Sequence, residues 1–137
     1  MSKELLIFMI DDDVDDQEIF SMIIAKIHPS AKCKFADDGV DALQKLKSLD
    51  PPFLPDLIFI DINMPRMGGL ECLAEIRRLP HLKAVPAYMF STSDESFIVA
   101  KSLSAGADGF VKKEAKPKEL ETRLADILRD HQFFTHQ

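Results

Sequence analysis

Hydrophobic and polar positions along the chain fall into short solid apolar runs separated by longer stretches with helical spacing. Leu5 to Ile10 and Leu57 to Ile60 are runs of the first kind, each closed by polar or turn-forming residues. Runs of that length predict strands buried on both faces. Ala87 to Phe90 and Gly109 to Lys112 predict two further strands, and Lys32 to Ala36 a weaker one. Val14 to Ile27 predicts a first helix, stopped by His28-Pro29. Gly39 to Leu49 predicts a second, with Val40, Leu43, Leu46 and Leu49 at helical spacing. A proline-rich connector follows, from Asp50 to Pro55. Leu70 to Leu79 predicts a third helix with Leu70, Leu73, Ala74 and Ile76 inward, ended by Pro80. Asp94 can cap a fourth, running to Ser104 with an inward stripe of Val99, Ser102 and Leu103. Pro117 suits the first turn of a fifth, whose apolar face is Leu120, Leu124, Ile127 and Leu128.

This alternation predicts βα units and a parallel sheet in an α/β fold. Right-handed crossovers place helices on both faces, so all strand C-termini share one edge. That edge collects Asp11-Asp12-Asp13, Asp61, Ser91 and Lys112-Lys113. Open α/β sheets bind ligands there.

Composition narrows the picture. A chain of 137 residues with 46% hydrophobic and 29% charged positions fits one globular domain with a real core. The net charge of −6 argues against nucleic acid or an anionic membrane as a partner. Two cysteines, Cys33 and Cys72, make no disulfide framework and read as small buried hydrophobes in a reducing, cytoplasmic setting. No apolar stretch approaches the ~20 residues of a membrane span. His28, His81, His131 and His136 are scattered without ligand spacing and read as surface residues.

The acidic edge carries the chemistry. Clustered carboxylates raise one another's pKa values unless a cation lies between them. Few hard oxygen ligands with room for water suit Mg²⁺ better than Ca²⁺. One carboxylate beside such a metal can act as a nucleophile toward phosphorus, and Lys113 and Ser91 can bind the remaining phosphoryl oxygens.

With Asp11-Asp12, Asp61 followed by Ile62-Asn63-Met64-Pro65, Ser91, Ala105-Gly106-Ala107, Phe110 and Lys113 in this order, the chain resembles the receiver domains of two-component response regulators. It is similar to the single-domain kind typified by the chemotaxis regulator, from about Leu5 to Leu128. The resemblance implies a flavodoxin-like doubly wound (βα)5 fold with a five-stranded parallel sheet in the order 2-1-3-4-5. It implies a receiver domain over 1–130, a short tail over 131–137 and no output domain. Asp61 would accept a phosphoryl group from a sensor histidine kinase or a histidine phosphotransfer protein. Asp12 and Asp61 would contact Mg²⁺ directly, Asp11 mostly through water, and Asn63 through its backbone carbonyl. Lys113 would pair with Asp61 and then with the phosphoryl oxygens. Ser91 would move toward the phosphoryl group, and Phe110 would swing between outward and inward positions as it does. Thr92 would control access, while Asn63 and Ser93 occupy the positions that tune phosphoryl lifetime. The output would be an unidentified protein partner bound by the surface of helix four, strand five and helix five, the regulator itself being a monomer or weak dimer. Beyond its own phosphorylation and dephosphorylation it would catalyse nothing.

Two positions depart from the family pattern. Glu114 follows Lys113 where proline is usual, which predicts a trans bond there. Thr92 stands where alanine or glycine is frequent and narrows the approach to Asp61. Asp13, Asp15 and Asp16 are either a solvated helix start that suits the helix dipole or extra acid that attracts the cation. Phe97 and Ile98 are either a staple closing the start of helix four or part of a docking surface, which Phe133-Phe134 would extend unless they cap the core. Other functions fit less well. A phosphatase of the haloacid-dehalogenase type needs an acid two residues after its nucleophile, where this chain has Asn63. A nucleotide-binding flavodoxin-like site needs a glycine-rich loop that is missing after strand one. A degenerate receiver acting only as a binding module stays open.

Overall fold

Among the residues that the computed structural model describes (4–49, 52–93, 95–113 and 116–134), five strands and five helices alternate along the chain. They are β1 (Leu6–Ile10), α1 (Val14–Ile27), β2 (Lys32–Ala36), α2 (Gly39–Lys47), β3 (Leu57–Asp61), α3 (Gly69–Arg78), β4 (Ala87–Ser91), α4 (Ser96–Ser104), β5 (Gly109–Lys112) and α5 (Pro117–Asp130). A 3-10 turn, Pro80–Leu82, follows α3. The strands form one sheet in the order β2-β1-β3-β4-β5, every pair parallel, the expected arrangement.

Strand side chains alternate between faces, and two cores result. Ile7, Met9, Leu57, Phe59, Tyr88, Phe90 and Val111 meet Phe20, Ile23 and Ile24 of α1 and Leu120, Leu124, Ile127 and Leu128 of α5. Phe8, Ile10, Ile58, Ile60, Ala87 and Met89 meet Ala42, Leu43 and Leu46 of α2 and Cys72, Leu73 and Ile76 of α3. β3 and β4 are buried along their whole length, which is why their sequences are solidly apolar rather than alternating. Each large side chain so buried contributes about 1.5–3 kcal/mol. Burial also pushes the thiol of Cys33 up to about 11 and that of Cys72 up to about 12, so both stay protonated at neutral pH.

Several expectations need correction. α2 ends at Lys47, and Leu49 lies outside it, well exposed. α3 buries Gly69, Cys72, Leu73 and Ile76, an i, i+3, i+4, i+7 stripe that leaves Ala74 on the solvent side. α4 buries only Ser102, whose hydroxyl donates to the Ile98 carbonyl at 2.9 Å, while Leu103 is 51% exposed. A nine-residue helix packed along one edge of the sheet covers too little of itself to bury a full stripe. Asp94, the expected cap of α4, lies outside the described residues, and the residue at the cap position, Glu95, makes no side-chain cap bond.

The described histidines are not free surface groups. His28 is buried, and its Nε2 donates to the Phe133 carbonyl at 2.8 Å. His81 Nε2 donates to the Leu46 carbonyl at 3.0 Å, and His131 shares a 2.6 Å hydrogen bond with the Tyr88 hydroxyl. Short polar links of this kind give no periodic signal in a sequence. Phe133 and Phe134 pack, half-buried, against the core between α1 and α5, so they cap the core rather than extend a docking surface. Among the described residues no helix is long and apolar enough to cross a membrane.

Candidate functional site

The sheet ladder positions the site. Asp61 is the last residue of β3 and pairs with Phe90 of β4. Asp11 lies one residue past β1, its N–H bonded to the Ala36 carbonyl at 3.0 Å. Ser91 closes β4, and the N–H of Lys113, one residue past β5, donates to its carbonyl at 2.7 Å. Four functional side chains are thus fixed by main-chain pairing at one sheet edge.

Three carboxylates converge on the ammonium of Lys113. Its Nζ lies 2.8 Å from Asp16 Oδ2, 3.0 Å from Asp11 Oδ2 and 3.4 Å from Asp61 Oδ2. It also sits 5.7 Å from the centroid of the Phe90 ring, a favourable cation–π placement. The hydrogen bond itself goes to Asp16. Asp11 Oδ2 is buried and, despite the nearby ammonium, accepts no well-directed hydrogen bond. Asp11 Oδ1 accepts the Asp13 N–H at 2.9 Å, and Asp61 Oδ1 accepts the Asn63 N–H at 3.2 Å.

Burial dominates the electrostatics. It raises the Asp11 carboxyl above its ordinary range, against the opposing effects of the Asp13 N–H and Lys113. It raises Asp61 to about 7, aided by the charge on Asp11 and opposed by Lys113. Burial works to lower the Lys113 pKa, but the carboxylates of Asp16, Asp11 and Asp61 outweigh it and the group is raised.

Asp11, Asp12 and Asp61 can place one oxygen each within 4.8 Å of one another. All the ligand atoms are hard oxygens, Asp12 is open to solvent, and the buried Asp11 Oδ2 has only the poorly directed contact with the Lys113 ammonium. That donor set fits a Mg²⁺ ion which keeps part of its water shell.

Local structure holds this edge in place. Asp13 caps α1, its Oδ1 accepting from the N–H groups of Asp15 at 2.9 Å and Asp16 at 3.2 Å. Gln17 Nε2 donates to the Asp11 carbonyl at 2.7 Å and pins the β1–α1 loop. After β3 the chain turns through Arg66, at φ 66°, and the Gly69 N–H returns to the Ile62 carbonyl at 2.9 Å. A Cβ on Gly69 would lie 2.1 Å from the Asp61 carbonyl oxygen, so only glycine fits. Arg66 also pairs with Asp38, whose side chain accepts the Asp41 N–H at 2.9 Å and caps α2. The Asp41 N–H and the Arg66 guanidinium hold the Asp38 carboxyl below its ordinary range.

The other predicted residues spread around the edge. Ser91 is buried, its Oγ accepting the Ser93 N–H at 3.2 Å. Thr92 and Asn63 are exposed and Ser93 is half-buried. Phe110 is half-buried on the face of α2 and α3, away from Lys113, its carbonyl accepting from Arg123 Nη2 at 3.1 Å. Glu114 lies outside the described residues, so the peptide bond it shares with Lys113 does too. Sequence reasoning named Asp16 only as acid near the site and missed its pairing with Lys113, as it missed Gln17, Gly69 and the Arg66–Asp38 pair. Asp16 offered only a faint signal, an acid in the first turn of α1. Its partner Lys113 is 97 residues away, and no local pattern links them.

Comparison with known proteins places this geometry. The response regulator receiver domain matches residues 7–125. The chain is 33% identical to chemotaxis protein CheY of Treponema pallidum, over 85% of this chain and 80% of that protein. It is 31% identical to two-component response regulator ARR17 of Arabidopsis thaliana, over 93% of this chain and 88% of that protein. Some curated relatives are longer: the chain covers 32% of the cyclic di-GMP phosphodiesterase response regulator RpfG of Xanthomonas campestris and 51% of the CpxR homolog of Haemophilus influenzae. Among solved structures, the phosphorylated cyanobacterial phytochrome response regulator RcpA superimposes with a TM-score of 0.84 at 26% identity, over 93% of each chain. Sequence, sheet order and the acidic edge agree, and the chain belongs to the response regulator receiver domains of two-component systems.

Proposed function

We propose that this receiver is a phosphorylation-dependent switch in which Asp61 accepts a phosphoryl group from the phosphohistidine of a sensor kinase or a histidine phosphotransfer protein. The observation that carries this reading is the convergence of Lys113 on Asp61 and Asp11 beside the three-aspartate oxygen cluster. An Asp61 carboxylate oxygen attacks phosphorus, the N–P bond breaks, and the departing imidazole takes up a proton. Lys113 favours the ionised form of Asp61 against the effect of burial and then binds a phosphoryl oxygen. Mg²⁺ held by Asp11, Asp12, Asp61 and the Asn63 carbonyl would neutralise charge on the transferring oxygens. RcpA, described as phosphorylated, and a CheX–CheY complex of Borrelia burgdorferi with beryllium fluoride and magnesium, 25% identical, make the same chemistry reasonable here.

The switch then acts through Ser91 and Phe110 on the surface of α4, β5 and α5. Ser91 is buried at the edge of the site and Phe110 is only half-buried, so the aromatic has room to change position. Phe97 is 59% exposed, which leaves the docking reading of α4 in place for a protein partner. Thr92 sits exposed at the approach to Asp61 and, with Asn63 and Ser93, sets how long the phosphoryl group survives. Residues 1–130 form the receiver unit, working in the cytoplasm as a monomer or weak dimer, and 131–137 are its tail.

Incubation with acetyl phosphate and Mg²⁺, followed by intact-protein mass spectrometry, tests the acceptor. The wild type gains one phosphoryl group, while Asp61→Asn and the chelated wild type do not. Absence of any Asp61-dependent adduct would leave the phosphorylation-independent binding module as the better account.

A further inference from the structure

We propose that Asp16 is a positioning residue that competes with the phosphoryl group for Lys113 and so sets the affinity of the site for it. The inference rests on the switch reading above.

Three carboxylates share one ammonium, and the shortest contact, 2.8 Å, belongs to the one that is neither acceptor nor candidate metal ligand. The distance to the acceptor, 3.4 Å, is the longest of the three. Lys113 is therefore drawn toward α1 in the resting protein. Asp16 is well built for this hold. Its N–H is tied to the Asp13 cap at 3.2 Å, which fixes its place in the first turn of α1, where the helix dipole favours a negative group. Its side chain is 33% exposed, so water helps to solvate it, whereas Asp11 is fully buried. Asp16 can lose Lys113 at moderate cost; Asp11 cannot.

A phosphoryl group on Asp61 replaces the single carboxylate charge with about 1.5–2 negative charges spread over strong acceptor oxygens. It draws the ammonium inward, and the Asp16 contact must lengthen or break. The free energy of that contact is subtracted from binding of the phosphoryl group or of a mimic. Aspartate here thus weakens the on-state without touching the acceptor.

The test is the affinity of the Mg²⁺-loaded full chain for beryllium fluoride, read by ¹⁹F NMR, in wild type, D16N, D16E and D15N. Asp15 is exposed on the same helical turn and reports the effect of removing one negative charge from the mouth. D16N is expected to bind about three- to five-fold more tightly, the scale of one lost partly exposed ion pair. D15N should change less than D16N, and D16E should return toward wild type. Thermal stability, measured alongside, separates loss of helix-start charge from the binding effect. Equal affinities for D16N and D15N, or weaker binding by D16N, would overturn the positioning role while leaving the switch intact. No Asp61-dependent binding by the wild type would instead sink the switch, and this inference with it.

Discussion

Asp61 ionises reluctantly, and that has a cost in stability. Its pKa of about 7 in the folded chain exceeds the ~3.9 of an unfolded aspartate. Between those values the folded state holds a proton that the unfolded state has lost, so stability falls as pH rises through the window from about 4 to 7. The slope is at most about 1.4 kcal/mol per pH unit for one group, and Asp11, also raised, shares the titration. Metal-free Asp61→Asn should therefore melt higher than wild type at pH 7.5 and show a flatter dependence on pH; thermal unfolding across pH 4–8 checks it, and identical slopes would contradict it. Excess Mg²⁺ should restore stability to the wild type and much less to the variant. At this scale the principal acids, Ser91 and Lys113 were legible because each ends a strand. Asp16 was legible only as acid, since its meaning depends on a lysine brought up from the far end of the sheet.

Elements, more than side chains, keep the edge in register. The β3–α3 turn closes so tightly on Asp61 that Gly69 admits no Cβ. Gly69→Ala should displace the turn, destabilise the fold by about 1–3 kcal/mol despite alanine's better helix propensity, and weaken Mg²⁺ binding. Denaturant unfolding and Mg²⁺ titration measure both effects. The same turn is tied to α2 through Arg66 and Asp38. Asp38→Ala removes a helix cap and should cost about 1–2 kcal/mol, whereas Arg66→Ala, losing an exposed partner, should cost less than about 1 kcal/mol. Hydrophobic period located all five strands and, to within two residues, the ends of the first three helices. It failed on the inward faces of α3 and α4. For α3 the stripe begins one residue earlier, at a glycine that carries no hydrophobic signal, and for α4 a buried serine satisfies its hydroxyl on its own helix.

At the scale of the molecule, two cores flank the sheet, and the segment after α5 closes one of them. Phe133 and Phe134 pack on the core between α1 and α5, held by His28 and flanked by the His131–Tyr88 pair. A chain ending at Asp130 should therefore lose about 2 kcal/mol or more and melt several degrees lower. Calorimetry of the shortened chain decides; an unchanged melting temperature would mean that these rings contribute no packing. The packing of His131 to Phe134 was not legible for a physical reason: so short a segment shows no period, and its contacts are made to His28 after α1 and to Tyr88 of β4. The parallel sheet, by contrast, follows from alternation, because βα units leave one edge at which acids, hydroxyl and lysine meet, while the strand order was implied by the family resemblance.

The whole account turns on whether modification at Asp61 reaches the α4–β5–α5 surface. Amide NMR spectra of the Mg²⁺-loaded chain, with and without beryllium fluoride, measure that directly. The account predicts shifts that begin at Ser91 and Lys113, extend to Phe110 and Phe97, and vanish in Asp61→Asn. Shifts confined to the three aspartates, or equal in the variant, would contradict it.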